Sequence, residues 1–410
     1  MRSARLRRTV VLAVLGSLAV VGLAACGPAP RAVAQTESQS KGPTTSRVVK
    51  VGPGKRFTVP SAAAKEARDG DVIEIDAGRY VGDVAVWFAH NLTIRGVGGL
   101  AVIDAGGNDA QDKGTWVISG NSTTVENIEF ANQRNSVGGQ IGAGIRQQGI
   151  GLTVRHCRFT NNENGILTNN NQPTSVIVIE YTEFDKNGSG EGNTHNMYIG
   201  TIGRFTLRYS YSHHAQVGHN VKTRARENFI IYNRIMDEVN GTASYDIDVP
   251  NGGVAYIIGN LIQRGAQAEN TTLVSYGAEG LRYPTNELYV VNNTFVNDRP
   301  EGSIFLALRS PAARAQLINN IFAGKGTVLQ GNAEQKNNLV TNQPGLVDRA
   351  KYDYRLAKGS KAIAAGIDPG SAKGVSLMPE FQYVHPMDRA PRANEKAVDV
   401  GAYAYPGPGQ

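Results

Sequence analysis

Short runs of β-branched and other apolar residues recur along the chain, and they share one template. In four of these runs, an Asn is followed two positions later by an apolar residue, and the runs overlay when these Asn residues are aligned. The aligned residues are Asn233, Asn260, Asn293 and Asn320. Earlier runs place Ile128, Cys157, Thr182 and Ser210 in the same column. Neighbouring members are separated by 23 residues (Ser210 to Asn233) to 33 residues (Asn260 to Asn293), which indicates a structural repeat.

A repeat of ~25 residues is the length of one turn of a parallel β-helix, in which each turn pairs with the next and buries an apolar row. Asn side chains stacked at a bend can hydrogen-bond along the axis, so Asn can occupy a buried column there. A β-sandwich would show hairpin turns, and a propeller would repeat every ~40 to 45 residues. The sequence therefore predicts an all-β parallel solenoid, whose repeated turns explain the 48 Gly residues.

The start of the chain has the composition of a targeting segment. Four arginines among the first eight residues precede an apolar stretch, residues 10–23, that is too short for a stable membrane-spanning helix. The following Leu23-Ala-Ala-Cys26 resembles a bacterial lipoprotein signal, which implies removal of residues 1–25 and lipidation of Cys26. Residues 26–47 are rich in Pro, Ser, Thr and Gln, as a flexible tether is.

These segments predict an exported monomer, anchored through the lipid on Cys26 in the cell envelope, on the periplasmic or surface side of the outer membrane. They also account for most of the basicity. The chain has 42 Lys and Arg against 35 acids, or +7, and removing four Arg leaves 38 minus 35, or +3. Because the remaining charge is small and no basic patch is interleaved with aromatic residues, the sequence does not favour nucleic-acid binding.

The two ends of the repeat region contain segments that would close a solenoid. A short amphipathic helix is predicted in residues 60–70, followed by the first strand, residues 71–80. A solenoid needs such a cap because its end turn would otherwise expose an unpaired edge. Asn91–Gly96 follows the cap at the entry of the solenoid, and the C-terminal closing segments are Tyr352–Ser360 and Val398–Tyr403.

Together these segments resemble the right-handed parallel β-helix superfamily that includes pectate lyases, chondroitinase-type lyases and alginate lyases. The resemblance covers about residues 48–403. It implies a right-handed parallel β-helix over residues 48–345 with an N-terminal capping helix. Residues 346–410 would form a closing segment packed on the helix.

A second set of strands aligns on inward apolar residues. These are Ile145, Ile166, Met197, Val221, Ile247 and Leu273. Because side chains alternate along a strand, the residues on either side are expected to point outward. The following residues are Arg146, Leu167, Tyr198, Lys222, Asp248 and Val274, and the preceding ones are Gly144, Gly165, Asn196, Asn220, Asp246 and Thr272. With turns ~4.8 Å apart, polar groups including Arg224 converge within ~10 Å on one face.

This face suits β-elimination of an acidic polysaccharide, in which the uronate carboxylate is neutralised, the C5 proton removed and the C4 oxygen protonated. The resemblance to β-helix lyases implies that Lys222, its pKa depressed by Arg224, is the base and that Tyr198 is the acid. Arg224 or Asn220 would hold the carboxylate. The candidate catalytic residues are Lys222, Arg224, Tyr198 and His195, and the candidate substrate-binding residues are Asn196, Asn220, Arg146, Arg226 and His219.

Metal binding is considered at two sets of residues. Asp246 and Asp248 could hold Ca²⁺, which prefers hard oxygens, although two carboxylates need further oxygen ligands. The sequence requires no other cofactor. The histidines lack HxH or HExxH spacing, so a zinc site is not favoured. They are His195, His213, His214 and His219. His195 and His219 have inward parity and are expected near strand ends, where they would orient a substrate or a base.

Other functions remain open beside the lyase. A glycoside hydrolase needs carboxylates ~5 to 9.5 Å apart, which Asp246 and Asp248 could supply, but the Asp-Asp pair and Arg-Ile-Lys of polygalacturonases are absent. A C5-epimerase shares the proton abstraction, but the Asp-Pro-His-Asp motif of mannuronan epimerases is absent. A non-catalytic glycan-binding protein of the envelope, or an ion-pair ladder on a solvated face, would use the same residues. The leading hypothesis is a lyase acting on a uronate-containing polysaccharide.

Overall fold

The computed structural model describes residues 46–135, 137–393 and 397–406. The chain winds repeatedly through three stacks of parallel strands, which form a 10-stranded sheet and a 21-stranded sheet. The 10-stranded sheet is called the groove sheet. Its strands are Ala85–Trp87, Gly114–Ile118, Ala143–Gln147, Ile166–Thr168, Met197–Ile199, Val221–Thr223, Ile247–Val249, Thr272–Tyr276, Ser303–Leu308 and Gly326–Gln330.

The larger sheet contains the other two stacks, which are joined because two long strands near its start take part in both. The first stack consists of Val48–Val51, Val72–Val81, Thr93–Asp104, Thr123–Glu126, Leu152–Arg155, Gln172–Glu180, Ile202–Arg208, Glu227–Ile231, Val254–Ile258, Glu287–Val291, Arg314–Ile318 and Glu334–Lys336. The second stack adds Ile128–Ala131, Arg158–Thr160, Glu183–Asp185, Tyr211–His213, Arg234–Met236, Leu261–Arg264, Thr294–Asn297, Ile321–Ala323 and Leu339–Thr341.

The interior of the solenoid is a continuous row of apolar side chains. Phe130, Phe159 and Phe184 are fully buried and stack with ring centroids 5.1 and 4.8 Å apart on successive turns. Such contacts repeat because equivalent residues of parallel neighbours lie directly above one another. The parallel β-helix predicted from the repeat is therefore confirmed.

The predicted Asn column forms a hydrogen-bonded ladder at one bend of each turn. The side-chain oxygen of Asn260 accepts from the backbone and side-chain N–H groups of Asn233, at 2.9 and 3.0 Å. Asn293 receives the same pair of bonds from Asn260. Thr182 and Ser210 continue the ladder with their hydroxyl groups. The column is buried and polar because its side chains satisfy the backbone groups of the bend.

A short helix lies near the start of the solenoid, and the C-terminal strands pack on its side. The predicted N-terminal helix is present but spans only Pro60–Ala64, and it buries Pro60, Ala63 and Ala64. After the last parallel strand, three antiparallel strand pairs follow. They are Leu346–Asp348 with Asp353–Leu356, Ser371–Ala372 with Val375–Ser376, and Phe381–Val384 with Asp388–Pro391, and a 3-10 turn spans Arg349–Lys351. The Phe381 ring packs edge-on against the solenoid residues Tyr209 and Tyr232, with centroids 5.9 Å away in each case.

Among the described residues, no helix is both long enough and apolar enough to span a membrane. The signal segment predicted in residues 1–25, the lipidation site Cys26 and most of the tether predicted in residues 26–47 lie outside the described residues.

Candidate functional site

The polar face predicted from the sequence lies on three neighbouring strands of the groove sheet. These strands are Met197–Ile199, Val221–Thr223 and Ile247–Val249. Their parallel register pairs Tyr198 with Lys222 and Lys222 with Asp248. The outward column predicted from the sequence is therefore confirmed over these three turns.

The prediction of the next turn is wrong by one residue. Asp248 pairs with Ser275, not with Val274, which is buried opposite Ile247. Leu273 and Val274 are adjacent apolar residues, so alternation of polarity could not fix the register of this strand.

Arg224 joins Tyr198 to a carboxylate on a neighbouring loop. Its Nε–H donates a hydrogen bond of 2.6 Å to the Tyr198 hydroxyl oxygen. Its two terminal nitrogens donate to the carboxylate of Glu279 at 2.6 and 2.9 Å, and one of them also donates to Asn251 Oδ1 at 2.6 Å. Burial opposes the charge of Arg224, but the hydrogen bonds with Glu279 and Tyr198 raise its pKa overall. A guanidinium cation is thus held directly beside a phenol.

Lys222 supplies a second cation to the same place. Its Nζ lies 3.6 Å from a carboxylate oxygen of Asp248 and 3.5 Å from one of Glu279. Glu279 therefore contacts Lys222 and Arg224 at once, and its hydrogen bond with Arg224 lowers its pKa. Both contacts of Lys222 are thus ion pairs with carboxylates, which favours a role in binding a carboxylate over the expected role as base.

Asp248 lies on the floor of the groove. It is almost fully buried, and its carboxylate is 3.5 Å from His219 Nε2. Burial raises the pKa of Asp248 to about 6, against the opposing effect of Lys222. The carboxyl group therefore titrates close to neutral pH.

Two buried imidazoles lie behind Tyr198. The His195 ring centroid is 5.7 Å from that of Tyr198 and 4.6 Å from that of His219. The backbone N–H of His219 donates to His195 Nδ1 at 3.0 Å, so a neutral His195 ring carries its proton on Nε2. Burial lowers the pKa of both imidazoles well below the usual value. Because both imidazoles are buried, their position favours a role in supporting Tyr198 and Asp248. It does not favour the direct contact with substrate that is expected of His219.

The outward orientation predicted for Asn196, Asn220 and Asp246 is wrong. All three are fully buried and form an inner ladder. Asn196 Nδ2 donates to Asn220 Oδ1 at 3.1 Å, and Asn220 Nδ2 donates to Asp246 Oδ1 at 3.1 Å. Each of these residues precedes a strand of three residues and lies in the turn, where strand alternation does not apply. Their hydrogen bonds satisfy buried polar groups, so this arrangement indicates a structural role and not glycan binding.

The inner ladder ends on a buried ion cluster. Arg264 Nη2 lies 2.8 Å from Asp246 Oδ2, and Arg264 Nη1 lies 3.4 Å from Asp237 Oδ2. All three side chains are fully buried. Burial raises the pKa of Asp246 well above its usual value, although Arg264 acts in the opposite direction. Removing one partner would leave an uncompensated buried charge, so the cluster is structural.

The calcium site predicted at Asp246 and Asp248 does not fit the structure. The carboxylate oxygens of Asp246 are bound by Asn220 and Arg264 inside the solenoid, whereas Asp248 faces Lys222. Ca²⁺ takes about 6 to 8 oxygen ligands. Because these two carboxylates do not converge, no step of the proposed reaction is assigned to calcium.

The two remaining arginines lie at the margin of the groove. Arg146 is two strands from Tyr198 in the outward column, with Leu167 between them. It is half-buried, and burial lowers the pKa of its guanidinium. Arg226 is exposed, and within the described part of the chain its side chain makes no hydrogen bond or ion pair. Binding of sugar units beyond the reacting one remains a prediction for both.

Three residues that complete the groove were not identified from the sequence. Asn251 and Glu279 bind the Arg224 side chain, and the Tyr283 hydroxyl donates to the Arg224 backbone carbonyl. They lie outside the strands, and 55 residues separate Arg224 from Glu279. An alignment of strand columns contains no information about such residues.

No protein family matches the sequence, and no curated protein matches it. Among solved structures, the pectate lyase Pel9A aligns with 88% of this chain and 97% of its own, at 13% sequence identity and a TM-score of 0.59. An alginate lyase from Paenibacillus sp. str. FPU-7 aligns with 72% of this chain and 99% of its own, at 13% identity and a TM-score of 0.42. At the level of fold, the chain is thus a parallel β-helix similar to that of the pectate lyase.

Proposed function

We propose that the protein is a polysaccharide lyase that cleaves a uronate-containing glycan by β-elimination. The main support is the carboxylate of Glu279, which is held jointly by Lys222 and Arg224 beside the hydroxyl of Tyr198. A uronate carboxylate that replaced Glu279 would meet the same two cations and place its sugar ring against the phenol. The likeness of the fold to that of a pectate lyase supports the same class of reaction.

Exchange of one carboxylate for another is physically reasonable at this position. The Glu279 side chain is 43% exposed, whereas Lys222 and Arg224 are only 12% and 13% exposed. The loop carboxylate is thus free to move into water, and the two largely buried cations stay in place at the strand Val221–Thr223 and directly after it. The planar guanidinium of an arginine at this site can donate charge-assisted hydrogen bonds to a planar carboxylate.

In the proposed reaction, Lys222 and Arg224 neutralise the uronate carboxylate and so stabilise the negative charge that develops when C5 loses its proton. Tyr198, whose deprotonated form is stabilised by the Nε–H of Arg224, takes the C5 proton. The C4–O4 bond then breaks, and Tyr198 returns a proton to O4. A C4=C5 double bond forms in one fragment, the other fragment leaves as an alcohol, and no water is consumed.

The assignment of the base differs from the one expected from the sequence. The resemblance implies Lys222 as the base, but Lys222 forms ion pairs with two carboxylates, as a group that binds carboxylates does. Tyr198 lies beside both cations, and its hydroxyl group can both accept and donate a proton. The proposal therefore gives Lys222 the binding role and Tyr198 the proton transfer.

The test is incubation of the purified chain with alginate, pectate and glycosaminoglycans, with two signals recorded in parallel. A lyase produces ultraviolet absorbance from the unsaturated uronate together with new reducing ends. Reducing ends without the absorbance would establish hydrolysis, and a change of uronate configuration without chain cleavage would establish epimerisation. Binding with neither signal would establish a glycan-binding protein.

We also propose that the substrate is met outside the cytoplasm, because Cys26 follows a sequence similar to a lipoprotein signal. The variant Cys26→Ser, expressed from the full chain, tests this part separately. The lipid anchor predicts that the wild type is found in the membrane fraction and that the variant is not. Equal amounts of wild type and variant in the membrane fraction would contradict the lipid anchor. Such a result would not bear on the proposed lyase reaction.

A further inference from the structure

We infer that Asp185, His213 and His214 form a binding site for a divalent transition-metal ion such as Zn²⁺, outside the groove sheet. Asp185 ends the strand Glu183–Asp185, and His213 ends the next strand of the second stack, Tyr211–His213. The register pairs Asp185 directly with His213, and His214 follows in the turn. Two successive turns of the solenoid thus contribute to one cluster.

The geometry of the three donor atoms fits a small metal ion. His213 Nδ1 lies 2.7 Å from His214 Nδ1, and Asp185 Oδ1 lies 3.4 Å from the first and 3.2 Å from the second. With metal–ligand distances of about 2.0 to 2.2 Å, ligands of a tetrahedral ion lie a little over 3 Å from one another. The two distances to Asp185 match this spacing, whereas the two Nδ1 atoms must move apart by roughly 0.5 Å or slightly more to receive the ion.

The surroundings of the imidazoles match those of metal-binding histidines. A His that binds a metal through one nitrogen usually donates its other N–H to a carboxylate, which fixes its tautomer. Here His213 Nε2 lies 3.2 Å from Glu183, and His214 Nε2 lies 3.9 Å from Glu238. The Glu183 contact leaves Nδ1 of His213 facing His214 and Asp185, whereas the His214–Glu238 distance exceeds that of a hydrogen bond. Asp185 Oδ1 is buried and faces both nitrogens.

The ligand types select the kind of ion. Two imidazoles and one carboxylate suit Zn²⁺ and similar transition metals, whereas Ca²⁺ needs a larger shell of oxygens. The His214 side chain is 16% exposed, so the cluster is reachable from solvent, and water can fill the fourth position.

The position of the site gives it a structural role. An ion bound here would join the turn of Asp185 to the turn of His213. From these turns the chain continues to the strands Met197–Ile199 and Val221–Thr223, which carry Tyr198 and Lys222. Metal binding would therefore hold the two turns together just before the strands that carry Tyr198 and Lys222.

The experiment uses the full chain, freed of metal with a chelator and then titrated with Zn²⁺, with Co²⁺ as a spectroscopic probe and Ca²⁺ as a control ion. The site predicts one Zn²⁺ per chain, a higher Tm in its presence, the visible spectrum of tetrahedral Co²⁺, and no response to Ca²⁺. His214→Gln should abolish stoichiometric binding, and Glu183→Gln should weaken it about 10- to 100-fold. His156→Gln, which alters an exposed imidazole elsewhere, should bind like wild type.

Failure of the wild-type chain to bind Zn²⁺ stoichiometrically would overturn the inference, whatever the variants do. Equal affinity of His214→Gln and His156→Gln, or an octahedral Co²⁺ spectrum that neither variant changes, would also overturn it. The circular dichroism of each variant shows whether it is folded, and the Co²⁺ spectrum of the wild type decides the question if a variant is not.

Discussion

The Nε–H of Arg224 donates a 2.6 Å hydrogen bond to the hydroxyl oxygen of Tyr198. This bond connects the two halves of the proposed chemistry, because the guanidinium that stabilises a tyrosinate also binds a carboxylate through its other nitrogens. A substrate that brings its own carboxylate to Arg224 is therefore placed beside the proton-transfer group by the same contact.

Replacing Tyr198 by Phe should reduce turnover of the polyuronate substrate by about 10²- to 10⁴-fold, the usual contribution of a positioned acid or base. The ring remains to stack near His195, so the fold and the affinity for substrate should change little. Steady-state kinetics measure kcat and KM. Tyr181→Phe removes a hydroxyl from the bend between two strands of the larger sheet, where Tyr181 packs on Tyr209, and serves as control. Turnover of Tyr198→Phe like that of the control would exclude Tyr198 from proton transfer.

Lys222→Arg separates the two roles considered for Lys222. Arginine keeps the positive charge but does not lose its proton in proteins, so it can bind a carboxylate and cannot act as a base. If Lys222 binds, Lys222→Arg should keep a substantial part of the activity, and Lys222→Ala should raise KM strongly. If both variants are inactive at saturating substrate, Lys222 is the base and the assignment to Tyr198 is wrong.

Glu279→Gln should favour substrate binding. The side chain of Glu279 occupies the cationic position that a uronate would take, and the glutamine competes less well because it carries no charge. We expect a lower KM for the polyuronate with little change in kcat. A matched control is Glu301→Gln on another loop, where the glutamate is 72% exposed. A higher KM for Glu279→Gln would show that Glu279 contributes to binding instead of competing.

Asp248 should make stability depend on pH. Its pKa is about 6 in the folded chain, against about 3.9 for an ordinary aspartate, so between these values the folded state retains a proton that the unfolded state has lost. The free energy of unfolding contributed by this group therefore falls as the pH rises through that window. Urea unfolding at both ends of the window should show that Asp248→Asn removes on the order of 2 kcal/mol of this dependence. An unchanged pH dependence in the variant would contradict the raised pKa.

The Asn ladder should be sensitive to single substitutions in its middle. Asn260 accepts two hydrogen bonds from Asn233 and donates one each to Ile230 and Asn293. Asn260→Ala leaves these buried groups without partners and should lower the free energy of unfolding by about 2 to 4 kcal/mol. Asn338→Ala, at the half-buried end of the ladder, should cost less than half as much because water can replace the side chain. Equal losses at the two positions would contradict the ladder as a source of stability.

The repeat made the fold predictable because a parallel β-helix shows the same environment once per turn. The Asn233 to Asn320 column and the pairing of Tyr198, Lys222 and Asp248 follow directly from that periodicity. Asn196, Asn220 and Asp246 were misplaced because the strands of the groove sheet have as few as three residues, so a position one residue before the strand is already in a turn.

The rest of the site depends on residues without a periodic signal. Glu279 approaches Arg224 from a loop 55 residues later, and its charge changes the interpretation of Lys222 from a base to a cation that binds carboxylates. His213 and His214 were considered together with His195 and His219 because they are close in sequence. The structure separates the four into two pairs. His195 and His219 precede strands of the groove sheet, whereas His213 and His214 lie at the end of a strand of the second stack, where Asp185 of the previous turn completes the group.

The mass of the products tests the central claim most directly. Elimination consumes no water, whereas hydrolysis adds one water molecule for each bond cleaved. Mass spectrometry of the oligosaccharides released from a polyuronate by the wild-type chain, in water labelled with a heavy oxygen isotope, reads this difference without reference to any variant. The proposed reaction predicts fragments that are one water lighter than hydrolysis products and carry no label. Fragments of full mass that carry the label would contradict a lyase.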